Sequence, residues 1–118
     1  MKIVILFFLG ILPLSGLALD NGARVVGCDY KFGNVADTDT CVILGSGMQQ
    51  GTLWIAFKAA GNRFRYTSDK PSQLDQIDSN GNTLRSYPIR NSQAQCRPGG
   101  GKADRYQFRN GDYVCLYE

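Results

Sequence analysis

The chain of 118 residues contains no histidine, no Asn-x-Ser/Thr sequon, no Cys-x-x-Cys pair, and no apolar run long enough to cross a bilayer as a helix. Histidine is the side chain whose ordinary pKa falls between about 5 and 8, so its absence removes the usual general acid and base of neutral-pH catalysis. The same absence removes the commonest metal ligand, and the cysteine spacing offers no zinc motif in its place. No metal and no cofactor are expected. Without a sequon, N-linked glycosylation is not expected either. Repeats, low-complexity tails and internal linkers are also missing, which leaves one small domain.

What is present begins with an address. Lys2 precedes the apolar run Ile3 to Leu12, and Gly16-Leu17-Ala18 places small residues where a signal peptidase inspects the chain. Residues 1–18 are therefore expected to be a signal peptide cleaved after Ala18, and residues 19–118 the mature domain. Lys2 leaves with the signal, lowering the formal net charge of +3 by one. That charge is too small to imply nucleic acid by itself, although Arg63, Arg65, Arg85, Arg90, Arg97, Lys102, Arg105 and Arg109 gather in the second half.

Four cysteines remain: Cys28, Cys41, Cys96 and Cys115. In a small exported chain an even number reads as a disulfide framework. Two bridges are expected, and the residues alone leave all three pairings open.

Val25 to Phe32 reads as a strand broken at Gly33-Asn34. Asp37-Thr38-Asp39-Thr40 supplies helix-capping oxygens, and Cys41, Leu44, Met48, Ile55 and Ala59 recur at helical steps. A helix is expected from about Thr40 to a stop at Gly61-Asn62, weakened by Gly45, Gly47 and Gly51. Arg63 to Tyr66 alternates as a strand, Asp78 to Asn82 is a turn, and Leu84 to Ile89 is a strand whose Pro88 needs a position without a ladder donor. Arg105 to Phe108 and Tyr113 to Tyr117 form a hairpin through Asn110-Gly111. One helix on a curved antiparallel sheet is an α+β domain. Gly99-Gly100-Gly101-Lys102 lacks the upstream glycine and the Ser or Thr of a phosphate-binding loop.

Cys28-Asp29-Tyr30, Asn62 to Tyr66, Ser86-Tyr87-Pro88-Ile89, the glycine-rich loop from Cys96 and Ala103-Asp104-Arg105 follow one another in the order of motifs in the small secreted fungal guanine-cutting ribonucleases, which the chain resembles. The resemblance implies their fold, one helix packed on a curved sheet, with the catalytic set lost: the strand histidine falls at Phe64, the general-base glutamate at Ser86 and the general-acid histidine near Glu118. The phosphate-binding arginine falls at Arg105, and Arg65, Tyr66, Arg85 and Arg90 join it on the expected vestigial active-site face. A pseudo-ribonuclease on a signal peptide is similar to the ribonuclease-like effectors of powdery mildew fungi. That similarity implies a secreted, non-enzymatic virulence or avirulence protein that reaches the host plant cell cytoplasm. There it would bind host protein, or be recognised by an intracellular immune receptor, through loops around Pro71 to Gly81 and Asn91 to Lys102. Weak RNA binding is the alternative. A monomer with bridges Cys28–Cys115 and Cys41–Cys96, tying first strand to last and helix start to the Pro88 strand region, completes the expectation.

Overall fold

A computed structural model describes residues 23–117; the expected signal peptide and Glu118 lie outside them. Eight antiparallel strands follow in order: β1 (Arg24–Phe32), β2 (Val35–Gln49), β3 (Thr52–Ala59), β4 (Asn62–Thr67), β5 (Gln73–Ile77), β6 (Thr83–Gln95), β7 (Lys102–Phe108) and β8 (Tyr113–Tyr117). Each strand pairs with the next, and β8 pairs back with β1, so the sheet closes into an up-and-down barrel. Among the described residues there is no helix, which corrects the expected α+β fold.

The segment expected to be helical is the β2–β3 hairpin. Its competing period is two: Cys41 and Ile43 are buried along β2 ahead of a bulge between Ile43 and Gly45, and Ile55, Phe57 and Ala59 are buried along β3. Val42, Ile43, Thr52, Trp54, Ile55 and Phe57 suit a pleated, half-buried surface, whereas three glycines would each cost a helix about 1 kcal/mol relative to alanine. Gln50 and Gly51 both take positive φ, 52° and 81°, as the two central residues of a type I′ hairpin turn must. Ala60 and Gly61 repeat that geometry between β3 and β4, so Gly61 closes a hairpin turn and Asn62 opens β4 where a helix stop is expected.

An eight-stranded barrel is just wide enough to be filled by its own side chains, and a cluster of aromatic rings runs through the filling of this one. Phe57, fully buried, lies 5.5 Å from Phe64 and 5.3 Å from Tyr106, and Tyr66 meets Tyr106 edge-on at 5.3 Å. The outward positions carry Lys58, Arg63, Arg65, Arg90 and Arg105. This is the reverse of a membrane barrel, whose apolar band faces out.

The bridges are Cys28–Cys41 and Cys96–Cys115, not the expected Cys28–Cys115 and Cys41–Cys96. Register explains it. In the β1–β2 pair Val26 lies opposite Cys41 and Cys28 opposite Asp39, so both cysteines project into the core, where each is buried. Cys115 lies opposite Asp29, one residue out of step with Cys28, and a one-residue step in a strand reverses the face. Cys115 therefore faces outward and takes Cys96, which straps the β6–β7 loop over the outside of β8.

That strap seats Arg97 over Asp29, an outward residue of β1 that is only 4% exposed. The Asp29 carboxylate accepts hydrogen bonds of 2.6 Å from both the Thr38 and Tyr117 hydroxyls and pairs with Arg97 Nε at 3.1 Å. The Arg97 guanidinium also lies 4.6 Å over the Tyr117 ring. A carboxylate with three donors satisfies the requirement that buried charge be paired and hydrogen-bonded.

Two carboxylates in the turns, those of Asp78 and Asp112, are held below their ordinary range. At Asp78 the backbone N–H of Asn82 is the largest cause, joined by that of Asn80. At Asp112 burial pushes upward but is outweighed by hydrogen bonds from the Gly33 N–H and Asn110 and by Lys31. A carboxyl depressed in the folded state contributes stability that is fully present above its unfolded value, about 3.9 for Asp, and is lost as pH falls through the folded one. With no histidine to titrate, the urea midpoint should stay nearly level from pH 5 to 7 and drop below about pH 4. A midpoint that rises on acidification below pH 4 would refute this.

Candidate functional site

Up-and-down topology puts the β1–β2, β3–β4, β5–β6 and β7–β8 turns at one end of the barrel. There the filling stops short and leaves a mouth of about 450 Å³. Its floor is aromatic: Phe32 stacks on Phe64 at 5.9 Å with planes 8° apart, Phe108 meets both edge-on at 6.0 and 6.2 Å, and Tyr87 meets Phe108 at 5.3 Å. Phe32 and Phe108 are the last residues of their strands and Asn62 the first of its own, each in the same alternation as the core residues behind it.

A polar chain crosses one side of the mouth. The Tyr87 hydroxyl donates to Gln76 Oε1 at 3.1 Å, Gln76 Nε2 donates to Asn62 Oδ1 at 3.3 Å, and Asn62 Nδ2 donates to the Ala60 carbonyl at 3.4 Å. Each amide keeps a second N–H, and Tyr87 keeps oxygen lone pairs. The mouth can thus stack on a flat apolar face and hydrogen-bond its edge. Asp112 in its wall is held below the usual carboxylate range and stays charged near neutrality.

On the outside, a groove of about 620 Å³ runs along β6 and β7. Arg90 lies opposite Gln107 and Ser92 opposite Arg105, so all four share the outward face, and Arg109 extends the row two residues beyond Gln107. The Arg105 guanidinium lies 5.6 Å over the Tyr113 ring, its Nη2 donates to Gln107 Oε1, and its Nε is buried without a partner. Mouth and groove share Pro88, Phe108 and Arg109 in their walls.

The residues expected to form one vestigial face are dispersed. Tyr66 is inside the barrel, its hydroxyl 3.4 Å from the Pro71 carbonyl and its pKa raised by burial and by Asp104. Arg65 is outside, tied to the Gly81 carbonyl, Thr83 and Asp75. Arg85 lies 5.8 Å over the Tyr87 ring. Only Arg90 and Arg105 come together. Of the three positions assigned to lost catalytic groups, Phe64 is a core ring, Ser86 donates outside the barrel to Asp75 at 2.7 Å, and Glu118 is outside the described residues. At Asp75 burial pushes the pKa up, but the bonds from Ser86 and Gln73 and the charge of Arg65 outweigh it and hold the carboxyl low. The two segments expected to present a surface contain much of β5 and of the second half of β6.

Arg109 belongs to the basic cluster evident in the sequence, and the alternation Arg105-x-Gln107-x-Arg109 was the signal that could have placed it. Phe32, Asn62, Gln76, Tyr87 and Phe108 carry no comparable signal, because only the closed register brings them to one end. Among the described residues no three acidic or thiol groups cluster as a metal site. No family model matches the chain, and no curated protein or solved structure matches it.

Proposed function

We propose that the chain is a non-enzymatic binding protein whose barrel mouth takes a small ligand with a flat apolar face. The observation that carries this reading is the aromatic floor beneath the Tyr87–Gln76–Asn62 chain, at the end of the barrel where the β1–β2, β3–β4, β5–β6 and β7–β8 turns gather. A volume of about 450 Å³ lies within the range of small-molecule sites, which are mostly apolar with a few placed polar groups. The ribonuclease frame carries no part of this proposal. Export does belong to it, supported by two bridges of the kind that persist in oxidising compartments.

The neutral fluorophore N-phenyl-1-naphthylamine should bind the disulfide-bonded chain saturably at one site, with amide shifts confined to the residues of the mouth. Phe32→Ala removes one stacked wall and should weaken binding by roughly tenfold, the worth of about 1.4 kcal/mol of aromatic contact. The exposed Leu84→Ala should leave it unchanged. Absence of saturable binding, or shifts mapping elsewhere, would refute the reading.

A second reading keeps the exported effector that engages a host protein, with RNA as its alternative partner. Its support is the pair Met48 and Leu53, opposite one another at the tip of the β2–β3 hairpin and 67% and 48% exposed. Shifts that map to this tip on titration with a candidate protein would favour it.

A further inference from the structure

We infer that the arginine groove holds the anionic group of the ligand seated in the mouth, so that the ligand is a ring-bearing organic anion such as an aryl sulfonate, phosphate or carboxylate. The inference rests on the mouth being a binding site.

Charge is the first ground. Lys31, Arg65 and Arg97 each pair with a carboxylate, whereas no carboxylate pairs with Arg90, Arg105 or Arg109 among the described residues. Three like charges along one groove repel each other, and an anion relieves them all. Arg105 is also oriented in advance. Its guanidinium rests on Tyr113 and is aligned by Gln107, which lowers the entropy lost on making charge-assisted bonds to oxyanions.

Continuity is the second ground. β5 pairs the first half of β6, through Gln73 and Pro88, while β7 pairs only the second half, ending at Ile89 opposite Phe108. Toward the mouth β6 therefore runs on without β7 beside it, and a lateral gap opens between β6 and the β7–β8 turn. The Ile89 N–H turns toward β5, bonding the Ser72 carbonyl at 2.9 Å. Its neighbour Pro88 accordingly faces the gap, where an N–H would find no strand and where proline has none to leave unpaired. A ring in the mouth can pass its substituent through this gap to Arg109 and the groove behind it.

The test compares two probes sharing one ring system: 1-anilinonaphthalene-8-sulfonate and the neutral N-phenyl-1-naphthylamine. The sulfonate should bind the full disulfide-bonded chain about tenfold or more tightly at low salt, an advantage that shrinks in 0.5 M salt, roughly where the screening length falls below 5 Å. Arg105→Gln should abolish most of the advantage without changing affinity for the neutral probe. The exposed Arg90→Gln should do so in part, and it serves if the first variant fails to fold. Equal affinity of the two probes, or arginine variants that weaken both alike, would overturn the inference while leaving the mouth reading in place. If neither probe binds, both fall. Competition by a single-stranded RNA oligomer through the same arginines, with no response to the probes, would assign the groove to a phosphate backbone instead.

Discussion

Phe57→Ala is expected to lower the stability of the domain by about 3–5 kcal/mol, the usual cost of removing a buried aromatic ring. Domains of this size are stable by only about 5–15 kcal/mol, so a large part of the total is lost. Phe57 is fully buried between Phe64 and Tyr106, and the rings around it belong to strands on different sides of the barrel, so they cannot collapse into the space. Met48→Ala, by contrast, should change stability by less than about 0.5 kcal/mol, because Met48 is 67% exposed. This order discriminates between folds. In the helix read from the sequence, Met48 lies on the core stripe with Cys41, Leu44, Ile55 and Ala59, while Phe57 flanks it. Urea denaturation of the two variants decides the matter: a costly Met48→Ala and a mild Phe57→Ala would restore the helix and sink the barrel.

Why the helix reading was available at all is a matter of period. Residues at positions 41, 44, 48, 55 and 59 satisfy a helical face, and the same stretch satisfies a strand face at 41, 43, 55, 57 and 59, with the turn at Gln50-Gly51 and a bulge between Ile43 and Gly45 together setting the phase. Glycine content and the β-branched and aromatic residues favour the second solution, and the capping oxygens at 37–40 favour the first. In the structure the Asp37 carboxylate accepts from the Thr38 N–H at 2.8 Å, a local bond within β2 rather than a cap. Elsewhere local signals sufficed: the strand before Gly33-Asn34, the turn at Asp78 to Asn82, the Asn110-Gly111 hairpin and the donor-free place of Pro88 all recur in the barrel.

The site was legible only in part. The sequence groups Arg90 and Arg105 on one face with Arg65, Tyr66 and Arg85, a face that the barrel takes apart, since face membership depends on strand parity and register. The mouth residues are separated in sequence by up to 80 positions, from Phe32 to Asp112, and closure of β8 onto β1 is what gathers them. No local pattern announces closure.

Bridge loss is the second large effect. Cys28–Cys41 spans 13 residues and Cys96–Cys115 spans 19, and loop-closure entropy assigns each about 3 kcal/mol. For a domain this small, a loss of that size should lower Tm by roughly 12–24 °C. The two bridges differ in what else goes with them. Cys28→Ala/Cys41→Ala also empties space in the core, where both sulfurs are buried. Cys96→Ala/Cys115→Ala frees the loop that holds Arg97 over Asp29, so a carboxylate buried to 4% exposure loses the salt bridge that partners it. Asp29 sits beside Cys28 in the chain and opposite Cys115 in the sheet, close enough for the two losses to couple rather than add. Loop-closure entropy alone, before any such coupling, sums to about 6 kcal/mol for the two bridges, comparable with the whole stability of the domain, so removing both should leave the chain largely unfolded at 25 °C. Circular dichroism melts of the two double variants and the quadruple variant measure these losses. Non-reducing peptide mapping must first show Cys28 joined to Cys41 and Cys96 to Cys115; a peptide joining Cys28 to Cys115 would contradict the facing of β1 and β8, and with it the register that closes the barrel.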